Sequence, residues 1–233
     1  MFIESDWLSL PLKNYHPIMF ITFEGSEGSG KTTQIPNVRQ FLTEAGYSVF
    51  STREPGGTPI GDQIRQVLLA NKNTEMHPRT EILLFQASRA QLVEQEIQPR
   101  IKKGEIVLCD RYADSTIAYQ GYGHQVNLTQ LQNIVHFATG GLKPDLTLLL
   151  DLDVSIGLTR RRKDGDINRL DAFELAFHQR VRAGYHDLAA SEPGRWVIID
   201  AAQPPHQVQQ DLCDAILSRL KGANVKPNLN IDS

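Results

Sequence analysis

The sequence predicts an α/β fold, a parallel sheet with helices covering both faces. Three observations carry that reading. Short apolar runs alternate with longer segments of helical periodicity along the chain, the order in which βαβ units build a parallel sheet. The most apolar run, "DLTLLLDLD" (145–153), is continuous, as a strand buried on both faces requires. The first run, "IMFITFE" (18–24), stops abruptly at the glycine-rich "GSEGSGKT" (25–32), a strand–loop–helix junction.

In chain order, strand 18–24 leads into a helix over 31–46 that Gly46 closes and Pro36 kinks. "YSVFST" (47–52) is a second strand. Thr58 as N-cap and Pro59 at the first helical position open a helix over 58–69. Residues 78–97 form the longest helix, with Ile82, Phe85, Leu92 and Val93 on helical spacing, and Pro99 and Gly104 end it. "EIVLCD" (105–110) is the third strand, 128–141 a helix stopped at Gly140, and 145–153 the fourth strand. A helix, the charged stretch 160–171, a helix over 172–189, the strand "WVIID" (196–200) and a helix over 204–220 complete the chain. No repeat, low-complexity tract or linker divides it, so 18–221 reads as one domain, with a loose extension at 1–17 and a flexible tail at 222–233.

The bulk properties narrow the class. At 233 residues, 40% hydrophobic and net charge −3, the chain shows no overall basic surface for nucleic acid or membrane. No apolar run nears the roughly 20 residues of a membrane span, and the N-terminus is too interrupted for a signal peptide. Cys109 and Cys213 sit in apolar surroundings without metal-type spacing, which suits free buried thiols and a cytoplasmic setting.

"GSEGSGKT" fits G-x-x-x-x-G-K-[ST]. Gly25, Ser26, Glu27, Gly28, Ser29 and Gly30 form a loop whose N–H groups can turn onto phosphate oxygens, Lys31 supplies charge for the β- and γ-phosphates, and Thr32 can hold Mg²⁺. A chance match in a chain of this length has odds on the order of one in a hundred from average residue frequencies, and the flanking strand and helix are both in place. A nucleoside triphosphate is the expected ligand.

A switch GTPase and an acceptor kinase share that loop. The nearest approach to a guanine-reading N-K-x-D motif, "NKNT" (71–74), lacks the aspartate and follows a helix, which disfavours the GTPase. An acceptor kinase needs a second anion site. Arg53 ends the second strand, and Asp110 and Arg111 end the third, all at the sheet edge where α/β folds bind ligands. Phe85 and Arg89 lie at i and i+4, one to stack on a base and one to hydrogen-bond it. From pattern alone Phe85 is equally a core residue; for Asp110–Arg111 the lesser alternative to a ligand role is a structural ion pair.

"EGSEGSGKTTQ", "REPGGTPIG", "LLFQASRAQ", "DRYADSTIAYQGYG", "PDLTLLLDLD" and "NRLD" occur in the order and spacing of the thymidylate kinase (dTMP kinase) family, from about Phe20 to Leu220. The chain resembles the bacterial type, because none of Ser26, Glu27, Gly28 and Ser29 is basic and lid arginines must then supply the missing charge. The resemblance implies a P-loop nucleoside monophosphate kinase fold with a five-stranded parallel sheet and a small lid at about 160–171. It implies transfer of the γ-phosphoryl group of ATP to dTMP with Mg²⁺, in the supply of dTTP, by a homodimer, which the apolar helix faces at 60–69 and 82–93 permit. Another nucleoside monophosphate kinase is the alternative. By position, Phe85 would stack on thymine, Arg89 hydrogen-bond it, and Arg53 and Arg111 grip the dTMP phosphate. Glu27 and Tyr119 would meet the sugar, Ser115, Thr116 and Gln120 would complete the pocket, and Thr32 and Asp110 would serve the metal. Within "RRRKDGDINRLD", Arg160, Arg162 and Arg169 match basic positions of lid-type members. Arg160 or Arg162 would be catalytic, and Arg161 solvated. Asn168 departs from the commoner aspartate, so an acidic contact there is not expected.

Overall fold

The computed structural model describes residues 18–164 and 168–223. The expectations for 1–17, for 165–167 of the lid and for the tail beyond 223 lie outside the described residues. The apolar runs become β1 (Met19–Glu24), β2 (Val49–Arg53), β3 (Ile106–Asp110), β4 (Leu146–Asp151) and β5 (Trp196–Asp200). They form one sheet in the order β2-β3-β1-β4-β5, with every pairing parallel. Between them run α1 (Lys31–Glu44), α2 (Pro59–Leu69), α3 (Pro78–Leu92), α4 (Gln98–Lys102), α5 (Ala113–Thr116), α6 (Leu128–Thr139), α7 (Val154–Asp164), α8 (Leu175–Ser191) and α9 (Pro205–Ala223).

The period of two along β1 sorts its side chains. Ile21 and Phe23 face α1 and α9, packing with Val38, Leu42, Leu212 and Ile216, while Phe20 faces the other way onto Leu92, Val93 and Ile97. Each such side chain, buried fully, contributes about 1.5–3 kcal/mol. The Thr22 and Thr147 hydroxyls, buried where no water reaches, bond each other at 2.9 Å. Parallel register places Glu24, Arg53, Asp110 and Asp151 together at the carboxyl edge, with Arg53 opposite Asp110. Since β1 leads to one side of the sheet and β3 to the other, this edge is a topological switch point, where α/β sheets form clefts.

Cap chemistry agrees with expectation at several ends. Thr58 accepts from Gly61 N at 3.0 Å ahead of Pro59, and Gly140 closes α6 with φ 58°. Four stretches depart from the sequence reading. The helix begun at Pro78 does not stop near Pro99: a π-helical turn over Val93–Ile97, closed by Gln98 N–H to Val93 O, carries it into α4. Pro99 has no N–H to give, so the wider turn just before it is where a missing donor costs least. "ADSTIAYQGYG", which shows no helical period, is helical throughout, as α5 and a π-helical Ile117–Gly123. Two glycines and two adjacent β-branched residues oppose that locally, and tertiary packing overrides them. A Cβ on Gly123 would lie 2.6 Å from the Phe177 ring, so the glycine is what lets α8 close on this segment. The helix expected from 172 begins at Leu175, because Asn168 and Asp171 form a capping box around a 3₁₀ turn at Arg169–Ala172. The last helix runs to Ala223, past the expected stop at 220.

Candidate active site

At the carboxyl edge lies a cavity of about 980 Å³. One end is the loop between β1 and α1. There Lys31 Nζ donates to Gly25 O at 2.8 Å, Ser26 O at 3.0 Å and Ser29 Oγ at 3.0 Å. Gly25 and Ser26 do not line the cavity; they hold the lysine that does. Burial and the nearby Arg111 cation lower the Lys31 pKa to about 8. Gly28 must be glycine for a close approach: a Cβ there would fall 2.1 Å from Gly157 O, and one on Gly157 would fall 2.3 Å from Glu27 O. The loop therefore rests backbone to backbone on the root of α7.

Asp110, Arg111 and Tyr112 turn sharply off β3. Arg111 has φ 67°, a costly conformation for a residue with a Cβ, and flanking bonds hold it there. Its N–H donates to Phe23 O at 3.0 Å, and Tyr112 N–H donates to Glu24 Oε1 at 2.8 Å. Arg111 Nη2 reaches Glu27 Oε1 at 2.8 Å, Nη1 reaches Tyr185 Oη at 3.2 Å and Ser115 Oγ at 3.4 Å. The Tyr119 hydroxyl donates to Glu27 Oε1 at 2.8 Å, and the guanidinium lies 5.0 Å from the Tyr119 ring centroid. Burial pushes the Glu27 pKa up, but Arg111, Lys31, the Tyr119 hydroxyl and Arg161 outweigh it and hold it at about 2. Asp110 Oδ1 is buried with no hydrogen-bond partner in the protein.

The other end of the cavity is lined by Arg53, Phe85, Arg89, Ser115, Thr116, Tyr119 and Gln120. Phe85 is half-buried and belongs to none of the apolar core clusters among the described residues, so its ring is left to the cavity. Arg53 is largely exposed and lies 3.6 Å from Asp62. Arg89 differs from expectation, since all five of its N–H groups are engaged: Nε and Nη2 with Glu54, Nη2 also with Tyr112 O, and Nη1 with Gln86 Oε1 and Thr116 Oγ1. Its guanidinium borders the cavity as a braced wall with no donor to spare.

The charged stretch also differs. Arg160, Arg161 and Lys163 line the cavity, and Arg162 is exposed outside it. The expectation that Arg162 faces ATP while Arg161 faces water is reversed in placement. Residues about 100° apart on a helix cannot all face one way, and Asp171 selects between them by accepting from Arg161 Nε at 3.3 Å. Thr32 lines the cavity with its side chain exposed. Asn168 lines it too, with its side chain accepting from Leu170 N at 2.9 Å as a cap.

Glu24, Tyr185, Glu54 and Asp171 were not identified from sequence. Glu24 left one signal, a carboxylate closing an apolar strand; Glu54 and Asp171 fall inside the runs "REPGGTPIG" and "NRLD" with no role read from them, and Tyr185 left none. Glu24 is fully buried, accepting from Tyr112 N–H, Ser115 Oγ at 2.5 Å and Tyr185 Oη at 3.0 Å. Burial first, then the Asp114 charge, raises its pKa to about 7. An acid with a raised folded pKa contributes stability present below its ordinary value of 4.5 and lost as pH rises toward 7. Glu24→Gln removes that component, so the Tm of the variant relative to wild type is expected to rise between pH 5 and pH 7.5, by ~2–4 °C if ~1 kcal/mol is involved. Thermal unfolding at both pH values checks this; a pH-independent difference would contradict it.

A phosphate-binding loop on a parallel sheet, sharing one cavity with a second cationic and aromatic lobe, defines a phosphotransferase of the nucleoside monophosphate kinase class. Residues 23–212 match the family model described as thymidylate kinase. The chain is 49% identical to the thymidylate kinase of Herpetosiphon aurantiacus over 87% of this chain and 96% of that one. It is 50% identical to that of Thermomicrobium roseum over 89% and 99%. The crystal structure of thymidylate kinase from Ehrlichia chaffeensis superposes with TM-score 0.69 at 32% identity, covering 85% of this chain and 98% of that one. The chain belongs to the thymidylate kinase family. Among the described residues, no helix is long and apolar enough to cross a membrane.

Proposed function

We propose that this chain transfers the γ-phosphoryl group of ATP to dTMP, forming ADP and dTDP. The observation that carries the reading is the shared cavity, with the Lys31 loop at one end, the Phe85–Tyr119 lobe at the other, and Arg111 between them. A dTMP phosphate oxygen is already a nucleophile at neutral pH. It attacks the γ-phosphorus while the bond to the β,γ-bridging oxygen breaks, and the electron pair leaves with ADP. The protein's task is to align two polyanions and offset their repulsion. Lys31 and the loop N–H groups take the donor phosphates, Arg53 and Arg111 the acceptor phosphate, and Arg160 and Arg161 add charge from α7. Mg²⁺ fits this donor set, one buried carboxylate oxygen without a partner at Asp110 and one accessible hydroxyl at Thr32, since this ion keeps several waters and bonds substrate phosphates. When bound, it supplies charge neutralisation on the transferring phosphates.

Phe85 stacks on the base. Thr116 Oγ1 accepts from Arg89 and Gln86, which leaves its own hydrogen to donate. That suits a keto oxygen of thymine and opposes the amino group of cytosine. Glu27, held ionised by Arg111, and Tyr119 meet the deoxyribose. Two exposed apolar side chains on α2, Ile60 and Val67, with Leu83 on α3, favour a homodimer, which sedimentation tests. The free, buried Cys109 and Cys213 suit a reducing cytoplasm.

An assay of the purified protein with Mg-ATP and four acceptors tests the reading. dTMP is expected to exceed UMP, CMP and AMP in kcat/KM by about a hundredfold or more. Preference for AMP or CMP would overturn it. In the same assay, Arg161→Ala is expected to lower kcat by roughly 10–100-fold, and Arg162→Ala to leave it near wild type. Equal, negligible losses would make the charge run a solvated helix end.

A further inference from the structure

Glu81 stands in the first turn of α3, away from the cavity wall, and is only 1% exposed. Three side chains from two other segments converge on it. Oε1 accepts from Gln120 Nε2 at 2.7 Å and lies 3.4 Å from His124 Nε2. Oε2 accepts from Arg169 Nη2. Arg169 is itself buried and donates Nε to Leu68 O at 3.1 Å. Burial alone would raise the Glu81 pKa, yet the neighbouring His124 ring and the Arg169 and Gln120 donors together lower it.

Each side of this cluster leads to a different end of the cavity. Gln120 lines the lobe that holds Phe85 and Thr116. Arg169 opens the 3₁₀ turn that contains Asp171, and Asp171 accepts from Asn168 N–H at 2.8 Å and from Arg161 Nε at 3.3 Å. Arg161 lines the cavity beside the loop that carries Lys31. A continuous set of short contacts therefore runs Gln120, Glu81, Arg169, the 169–172 turn, Asp171, Arg161.

We propose that Glu81 is a positioning residue that couples occupancy of the acceptor lobe to the placement of Arg161 over the donor phosphates. A buried carboxylate deprived of a donor is costly. If a bound nucleotide draws the Gln120 amide toward itself, Glu81 regains a donor by turning its freed Oε1 onto the Arg169 guanidinium, which moves to meet it. Arg169 is the first residue of a four-residue capped turn, so its shift carries Asp171, and Arg161 with it. The coupling is reciprocal, so a donor nucleotide that engages Arg161 tightens acceptor binding. This rests on the assignment of the Phe85 lobe to the acceptor and the Lys31 loop to the donor.

The test is calorimetric titration of dTMP into the full chain, alone and saturated with Mg-ADP. In the wild-type protein, Mg-ADP is expected to tighten dTMP binding by about fivefold or more. In Glu81→Gln that ratio is expected to fall to about one, a change that a merely structural role would not produce, and thermal unfolding reports whether the variant is folded. Arg169→Met breaks the same set from the other side while leaving Glu81 the Gln120 donor. It should lose the same ratio, and the double variant should lose no more. A ratio in either variant equal to wild type, or no ratio in the wild type, overturns the proposal. Phe85→Ala separates the underlying assignment: it should weaken dTMP binding without ADP. If it does not, the acceptor lobe has been misassigned, whatever the ratio shows.

Discussion

Arg111→Ala is expected to lower kcat by on the order of 10³-fold, the scale lost when a guanidinium bridging transferring phosphates is removed. The structure says why no neighbour replaces it. Nη2 is set on Glu27 while Nη1 addresses Ser115 and Tyr185, so the fork is aimed by three partners at once. Its raised basicity, which Glu27 sustains against burial, keeps it charged at any working pH. Arg111→Lys carries charge without the fork and is expected to recover only a small part of the rate. Alanine at φ 67° is no more strained than arginine, so the fold should survive. Steady-state kinetics beside a melting curve checks both statements; near-normal turnover in a folded Arg111→Ala protein would remove Arg111 from the mechanism.

Lys31→Ala is expected to cost a comparable factor, on the order of 10³ in kcat/KM for ATP, and to leave dTMP binding near wild type. The ammonium sits inside its loop on two carbonyls and a hydroxyl, preorganised where a β- or γ-phosphate would arrive. Its lowered pKa, about 8, gives a second signature. As pH rises through that value the protein without nucleotide loses the Lys31 charge, so ATP affinity should decline above about pH 8. The Lys31→Ala protein should show no such decline. Titrations of ATP at pH 7 and pH 9 read this directly, and an equal decline in both proteins would assign the effect to another group.

Much of the fold is legible in the chain because its signals are local. The apolar runs at 18–24 and 145–153, the Thr58–Pro59 start and the Gly140 stop report on neighbours a few residues away, and their elements stand where expected to within a few residues. The helical stretch 113–123 was not legible, since its glycines and β-branched residues argue against a helix that packing on α8, α6 and α3 makes stable. In the candidate site, the loop residues, Asp110, Arg111 and Phe85 announce themselves by motif. Their partners do not: Tyr185 is 74 residues from the arginine it touches, and Glu54 is 35 from Arg89.

What the sequence determined by itself is the set of chemical parts: a phosphate loop, arginines at strand ends, an aromatic a turn from an arginine, and a cationic run that some ligand or solvent must face. What only the tertiary structure decided is which of those parts have free hydrogen-bonding capacity and which way they point. Arg89 is fully engaged because Glu54, Gln86, Thr116 and Tyr112 surround it. Arg161 rather than Arg162 lines the cavity because Asp171, ten residues away across a capped turn, holds it there. Donors and charges are properties of residues, but their saturation and direction depend on contacts between segments distant in the chain, and no local pattern encodes those.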